Sequence, residues 1–148
     1  MSPHRSRVRP GRQTDAAVLE RLQALLSEPS PQLLSAAIRE RSTSVPFTTS
    51  TLLVTTDSDD RPVGYLLAVG TEPIHIAELV VAPEFRRERR ASDLLQTVCE
   101  SATEPVTVHV STENNGARSL YRAVGFTESD RSSALFDSSE GLTLQYRP

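Results

Sequence analysis

A change of period in the middle of the chain does most to limit its fold. "IHIAELVV" (residues 74–81) reads as a strand, and "APEFRRERR" follows it. From there Ala91, Leu94, Leu95, Val98, Cys99 and Ala102 fall on one helix face. "VTVHVS" (106–111) then alternates, with Val106, Val108 and Val110 on one side and Thr107, His109 and Ser111 on the other. A strand, a helix and a strand in succession form a crossover, which lays its two strands parallel. Upstream, "TLLVTT", "VGYLLAVG" and "IHIAELVV" are separated only by the turn-length "DSDDRP" and "TEP", the signature of consecutive hairpins. Both kinds of pairing must share one sheet, so an α/β fold is expected, with a mixed, mostly antiparallel sheet and helices on both faces.

The flanks extend this plan. "VRPG" begins a short first strand, and Thr14 or Asp15 caps a helix in which Val18, Leu22, Leu25 and Leu26 share a face. Ser30-Pro31 starts a second helix, with Leu33, Leu34, Ala37 and Ile38 in register. "RSTSVPFTTS" reads as a loop. "ENNGARSLYRAVGF" is a helix ending at Gly125, with Ala117, Leu120, Tyr121 and Val124 on one side, and "GLTLQY" is a closing strand. The expected order is β-α-α-β-β-β-α-β-α-β-β in one domain over residues 1–148, with residues 1–7 loose.

Composition narrows the function. The net charge is −3, 5% of the 148 residues are aromatic, and all 16 cationic residues are arginine, which does not suit a general nucleic-acid binder. Cys99 is the only cysteine and sits on an apolar stripe, so a core role is expected, with no internal disulfide, cysteine cluster or metal site. "MSPHRSRVRPGRQ" is basic but no apolar segment follows, and no apolar run could span a bilayer, so a soluble cytoplasmic protein without a membrane partner is expected.

One local feature asks for a partner. Arg86, Arg87, Arg89 and Arg90 surround Glu88 where the strand feeds the helix. A helix N-terminus offers unpaired N–H groups and the positive end of a dipole, so arginines around it make a cradle for phosphates. The alternative is a solvated basic face making surface ion pairs with Glu84, Glu88 and Asp93.

"LVVAPEFRRERRASDLL" resembles the acetyl-CoA motif of the GNAT N-acetyltransferase superfamily: a strand ending V-x-P-x-[YF]-R, a turn [QR]-x-x-G-x-[GA], and a helix. Arg86 takes the opening position and Ala91 the closing one, while Arg89 replaces the middle glycine. Either Arg89 is an ordinary helical residue with its N–H pointing inward and its side chain in solvent or on the 3'-phosphate, or the cradle is weaker. We expect the first. "VHVSTENNGARSLYRAVGF" is similar to the family's later segment, N-x-x-A-x-x-L-Y-x-x-x-G-F, with Asn114, Ala117, Leu120, Tyr121, Gly125 and Phe126 matching in spacing.

The resemblance implies a GNAT-like sheet whose strands 74–81 and 106–111 splay apart to admit acetyl-CoA as cosubstrate. Leu79, Val80 and Val81 would pair with its arm, and Arg86, Arg87, Glu88, Arg89, Arg90, Ala91 and Ser92 would form the phosphate turn. Asn114 would cap its helix or bond the arm. Tyr121 would be the general acid, and His109, then His75, then Glu78 are the candidate bases, with Glu78 expected to face away from His75. The motifs look closest to RimI-type enzymes, which acetylate a protein N-terminus, although Ala134, Leu135 and Phe136 stand where those relatives carry an aromatic pair. A small-molecule amine acceptor and a non-catalytic acyl-CoA-binding module are the alternatives.

Overall fold

The computed structural model describes residues 7–41, 50–132 and 141–148, with no account of the side chains of residues 131 and 132. Its strands are β1 (Val8–Pro10), β2 (Ser50–Thr56), β3 (Pro62–Val69), β4 (Ile74–Val81), β5 (Val106–Ser111), β6 (Thr127–Ser132) and β7 (Gly141–Tyr146). The helices are α1 (Ala16–Gln23), α2 (Pro31–Glu40), α3 (Arg90–Ser101) and α4 (Asn115–Val124). The element order is the expected one. "RSTSVPFTTS" lies outside the described residues except for its ends, Arg41 and Ser50.

The sheet order is β1-β2-β3-β4-β5-β7-β6, and only β4 and β5 are parallel. Helices cover both faces. On one, α3 and α4 bury Leu94, Leu95, Val98, Cys99 and Tyr121 against Leu66, Ala68, Ile76, Val106, Val108 and Val110. On the other, α1 and α2 bury Leu19, Leu22, Leu34, Ala37 and Ile38 against Leu52, Val54, Tyr65, Leu67 and Val80. This mixed α/β sheet is the expected architecture.

Three expectations need correction. The buried face of α1 carries Leu19 and Leu22, while Leu25 is 49% exposed, because α1 ends at Gln23 and the periodicity runs past it. Leu33 is likewise exposed, in the first turn of α2. Arg7 is not loose: its guanidinium bonds the Glu88 carbonyl (3.0 Å) and Asp93 (3.2 Å).

The sheet contains two irregularities that shape the site. β4 and β5 pair only from Ile74–Val106 to Ile76–Val108, then separate. In addition, Leu67 lies opposite Glu78 but Ala68 opposite Ile76, so Ala77 is an extra residue, a β-bulge. The bulge breaks the alternation of β4. Ile76 packs on the α3 side, whereas Glu78 points to the α1–α2 side together with Tyr65 and Leu67.

Candidate active site

The separation of β4 and β5 opens a cleft of about 360 Å³ lined by Ile76–Leu79, Val108–Ser111, Asn114 and Tyr121, and by Leu26, Ser27 and Glu28 from the loop between α1 and α2. An adjoining hollow of about 310 Å³ is lined by Val81, Phe85, Arg86, Arg87, Arg89, Arg90, Ala91, Ser92 and Leu120. The two share β4 and α4: Leu79 and Tyr121 face the cleft, Val81 and Leu120 the hollow. Val80 is buried on the α1–α2 face and lines neither. Beyond Ile76, β3 is the only strand that pairs with β4 among the described residues, so the cleft-side edge of β4 has no strand partner.

The turn before α3 shows how the arginines are used. Arg89 is the N-cap of α3 and takes φ 61°, ψ 22°, the left-handed conformation, so the ordinary helical geometry expected for it is wrong. Arg87 also has positive φ, at 66°. Both hold a backbone that glycine adopts without steric cost. The first bond back to the cap runs from the Asp93 N–H to the Arg89 carbonyl (3.0 Å), so the Arg90, Ala91 and Ser92 amides precede the helix ladder. Arg86, Arg87 and Arg89 are exposed, and Arg86 Nε donates to the Val81 carbonyl (3.1 Å).

Arg90 behaves differently from the rest of the collar. It is only 7% exposed; its Nη1 donates to Thr55 Oγ1 (3.0 Å) and the Thr56 carbonyl (2.8 Å), its Nε to Glu88 (2.9 Å), and its guanidinium lies 5.2 Å from the centre of the Phe85 ring. Three arginines therefore face outward and one is structural. Of the surface ion pairs expected as the alternative, Glu88 and Asp93 do pair, but with Arg7 and Arg90. That leaves Arg86, Arg87 and Arg89 outside those pairs.

The candidate acid and bases approach the cleft from opposite faces. Tyr121 comes from the α3–α4 face, 5% exposed, its ring edge-on to Phe126 at 5.2 Å. Its hydroxyl has no hydrogen-bond partner among the described residues, and burial raises its pKa well above the ordinary tyrosine value. The phenol thus keeps its proton at neutral pH. His109 lies on the other face, exposed, bonded through Nδ1 to Thr143 Oγ1 (3.0 Å) and lining the cleft. His75 bonds Thr107 (2.8 Å) where β4 and β5 are still paired and does not line the cleft. Its ring centre is 4.6 Å from that of His109; burial first, then that neighbour, lowers its pKa.

Glu78 does not face away from His75. The bulge at Ala77 puts both on the α1–α2 face, and the alternation used to separate them does not survive an inserted residue. Glu78 is 4% exposed and surrounded by donors: Gln23 Nε2 (3.0 and 3.1 Å), the Ser30 N–H (2.6 Å) and the Tyr65 hydroxyl (2.9 Å). Asn114 caps α4, its Oδ1 accepting from the Ala117 N–H (3.1 Å). Leu26, Ser27 and Glu28 were not anticipated as site residues, because a loop's position over a sheet leaves no periodic signal. Ala134, Leu135 and Phe136 lie outside the described residues.

Comparison with known proteins agrees with this geometry. The family model described as "Acetyltransferase (GNAT) family" matches residues 17–126. No curated protein matches the chain. Among solved structures, Arabidopsis thaliana NAA60 in complex with a bisubstrate analogue superposes with a TM-score of 0.79 at 15% identity, covering 94% of this chain and 95% of that one. Ard1 from Thermoplasma volcanium gives 0.75 at 23%, covering 94% and 95%. A mutant form of the spermidine/spermine N-acetyltransferase SpeG from Vibrio cholerae gives 0.74 at 16%, covering 94% and 92%. At such identities the likeness shows the fold, and the family match carries the assignment: the chain belongs to the acetyltransferase (GNAT) family, whose cosubstrate is acetyl-CoA.

Proposed function

We propose that the chain acetylates a primary amine held over the cleft, with a protein N-terminus, as in RimI-type enzymes, as the acceptor class. The observation that carries this reading is the division of labour along α4: Leu120 lines the arginine hollow and Tyr121 lines the cleft beside it. An extended ligand with phosphates at one end and a reactive group at the other fits that layout. Acetyl-CoA supplies the activated acetyl thioester. The outward-facing Arg86, Arg87 and Arg89, with the amides that open α3, would hold its phosphates, and the free edge of β4 near Leu79 and Val81 would receive its arm.

The proton roles follow from position. His109, on the acceptor side, takes the amine's proton; a histidine suits this because its ordinary pKa lies near neutrality. Tyr121, on the opposite face, keeps a proton at its hydroxyl for the departing sulfur. Holding both partners in one cleft supplies much of the remaining acceleration. His75 stands behind His109 rather than in the cleft, which favours His109 as the base. The cytoplasmic location and the single-domain organisation expected from the sequence belong to this proposal.

The test is release of CoA thiol in the presence of acetyl-CoA and a panel of acceptors: peptides with free or blocked N-termini, and polyamines. Release with free-N-terminal peptides only, lowered about 10²-fold in kcat by Tyr121→Phe, is expected. His109→Ala should lower turnover similarly, and His75→Ala much less. Polyamine-dependent release without peptide activity would move the acceptor to small molecules. Near-normal turnover in His109→Ala with loss in His75→Ala would reverse the order of the bases.

A further inference from the structure

Two left-handed residues without glycine, Arg87 and Arg89, occupy one short turn and need something to hold them there. The contacts around Glu88 form a closed ring that does so. Arg7 Nη2 donates to the Glu88 carbonyl (3.0 Å) and pairs with Asp93 (3.2 Å), and its Nη1 lies 3.7 Å from the Glu88 carboxylate. Arg90 Nε donates to the same carboxylate (2.9 Å), while its Nη1 holds Thr55 and the Thr56 carbonyl (3.0 and 2.8 Å). Thr56 Oγ1 closes the ring by donating to the Arg7 carbonyl (3.1 Å).

We propose that Arg7 and Arg90 clamp Glu88 from its two sides and thereby hold the phosphate turn in the shape that glycine gives it elsewhere in the family. The reason is peptide geometry. The Glu88 carbonyl belongs to the same planar unit as the Arg89 N–H, and in a trans peptide the two point in opposite directions. Fixing that oxygen on Arg7 aims the Arg89 amide away from Arg7. Arg90 then anchors the Glu88 side chain to β2. Arg7 and Arg90 are therefore positioning residues, and neither guanidinium is required to touch the phosphates.

This inference rests on the acetyl-CoA reading of the hollow, and its test keeps the two apart. Acetyl-CoA binding is measured by calorimetry at low and high salt for wild type, Arg7→Ala, Arg89→Gly and the double variant. Arg7→Ala is expected to bind about tenfold more weakly, with kcat at saturating acetyl-CoA within about twofold of wild type. In the Arg89→Gly background the same Arg7→Ala change should cost less than about threefold, because glycine holds the left-handed shape unaided and the Arg89 side chain is absent from both members of that comparison. Equal binding by wild type and Arg7→Ala would overturn the clamp. An Arg7→Ala loss that is equally large in the Arg89→Gly background, or that high salt abolishes, would also overturn it by making Arg7 a matter of charge or folding. If wild type itself binds no acetyl-CoA, the cofactor reading fails; hydrogen exchange at the Glu88–Arg90 amides, faster in Arg7→Ala if the clamp holds, still decides whether Arg7 shapes the turn.

Discussion

Replacing Glu78 with glutamine separates two roles that a buried carboxylate in this cleft could have. As a base, it would be needed for turnover and tolerant of an isosteric amide in the fold. The structure points to the second role, anchoring. Its two oxygens accept from Gln23, the Ser30 N–H and the Tyr65 hydroxyl, which tie α1, the start of α2 and β3 to β4. An amide in its place offers one acceptor where there were two and turns an NH₂ toward other donors. Hydrogen bonds to a charged group contribute about 1.5–3 kcal/mol each, and a buried donor left unpaired costs about 1–3 kcal/mol. Three donors shared by one carboxylate do not add independently, so a loss of about 3–5 kcal/mol is expected. That is a large part of the roughly 5–15 kcal/mol available to a domain and lowers Tm by roughly 10–16 °C. Urea unfolding with turnover measured well below the transition should show the full stability loss, with kcat per folded molecule reduced less than about tenfold. Unchanged stability with a kcat loss beyond about a hundredfold would refute the anchoring argument and make Glu78 the base.

Burial and His109 lower the His75 pKa from its ordinary 6.5, so the unfolded chain binds this proton more tightly than the folded one. Its contribution to stability is full above about 6.5 and is lost as pH falls from there through the folded value; urea midpoints across that range should show the decline, and His75→Gln should flatten it. Burial pushes the Cys99 thiol up to about 12, so a thiol reagent at pH 8 should leave the native protein unmodified and label it once urea unfolds it. Gly64→Ala would place a Cβ 2.7 Å from the Val80 carbonyl oxygen and 3.0 Å from Thr55 and Val81 methyls, between β2 and β4. The carbonyl is backbone and cannot turn aside, so denaturant unfolding should show a loss of about 1–3 kcal/mol.

Element order was legible because it rests on local signals, whereas the splay of β4 from β5 was implied only by the family resemblance. A strand-like run bounded by turn residues marks β4, period 2 marks β5, period 3.6 marks α3, and Gly125, at φ 120°, ends α4 where a left-handed residue is needed. The errors came where a side chain's direction depends on something the period does not encode. One inserted residue at Ala77 reversed the relation of Glu78 to His75 without altering the strand-like pattern. Arg90 reads like its neighbours in the collar, yet Thr55, Thr56 and Phe85, brought by other elements, draw it inward. Arg7 lies 81 residues from Glu88, and a run of arginines near the start gave no sign of where each would dock. Arg89 was read by its ordinary preference for the right-handed region, and a closed ring of contacts overrode that preference.

Amide-resolved titration of the wild-type protein with acetyl-CoA decides whether the arginine hollow and the cleft hold one extended ligand. Saturable shifts are expected at Leu79–Val81, at Arg86–Ser92 and around Tyr121, appearing together along β4, the turn and α4. Shifts confined to another surface, or none at saturating acetyl-CoA, would contradict it.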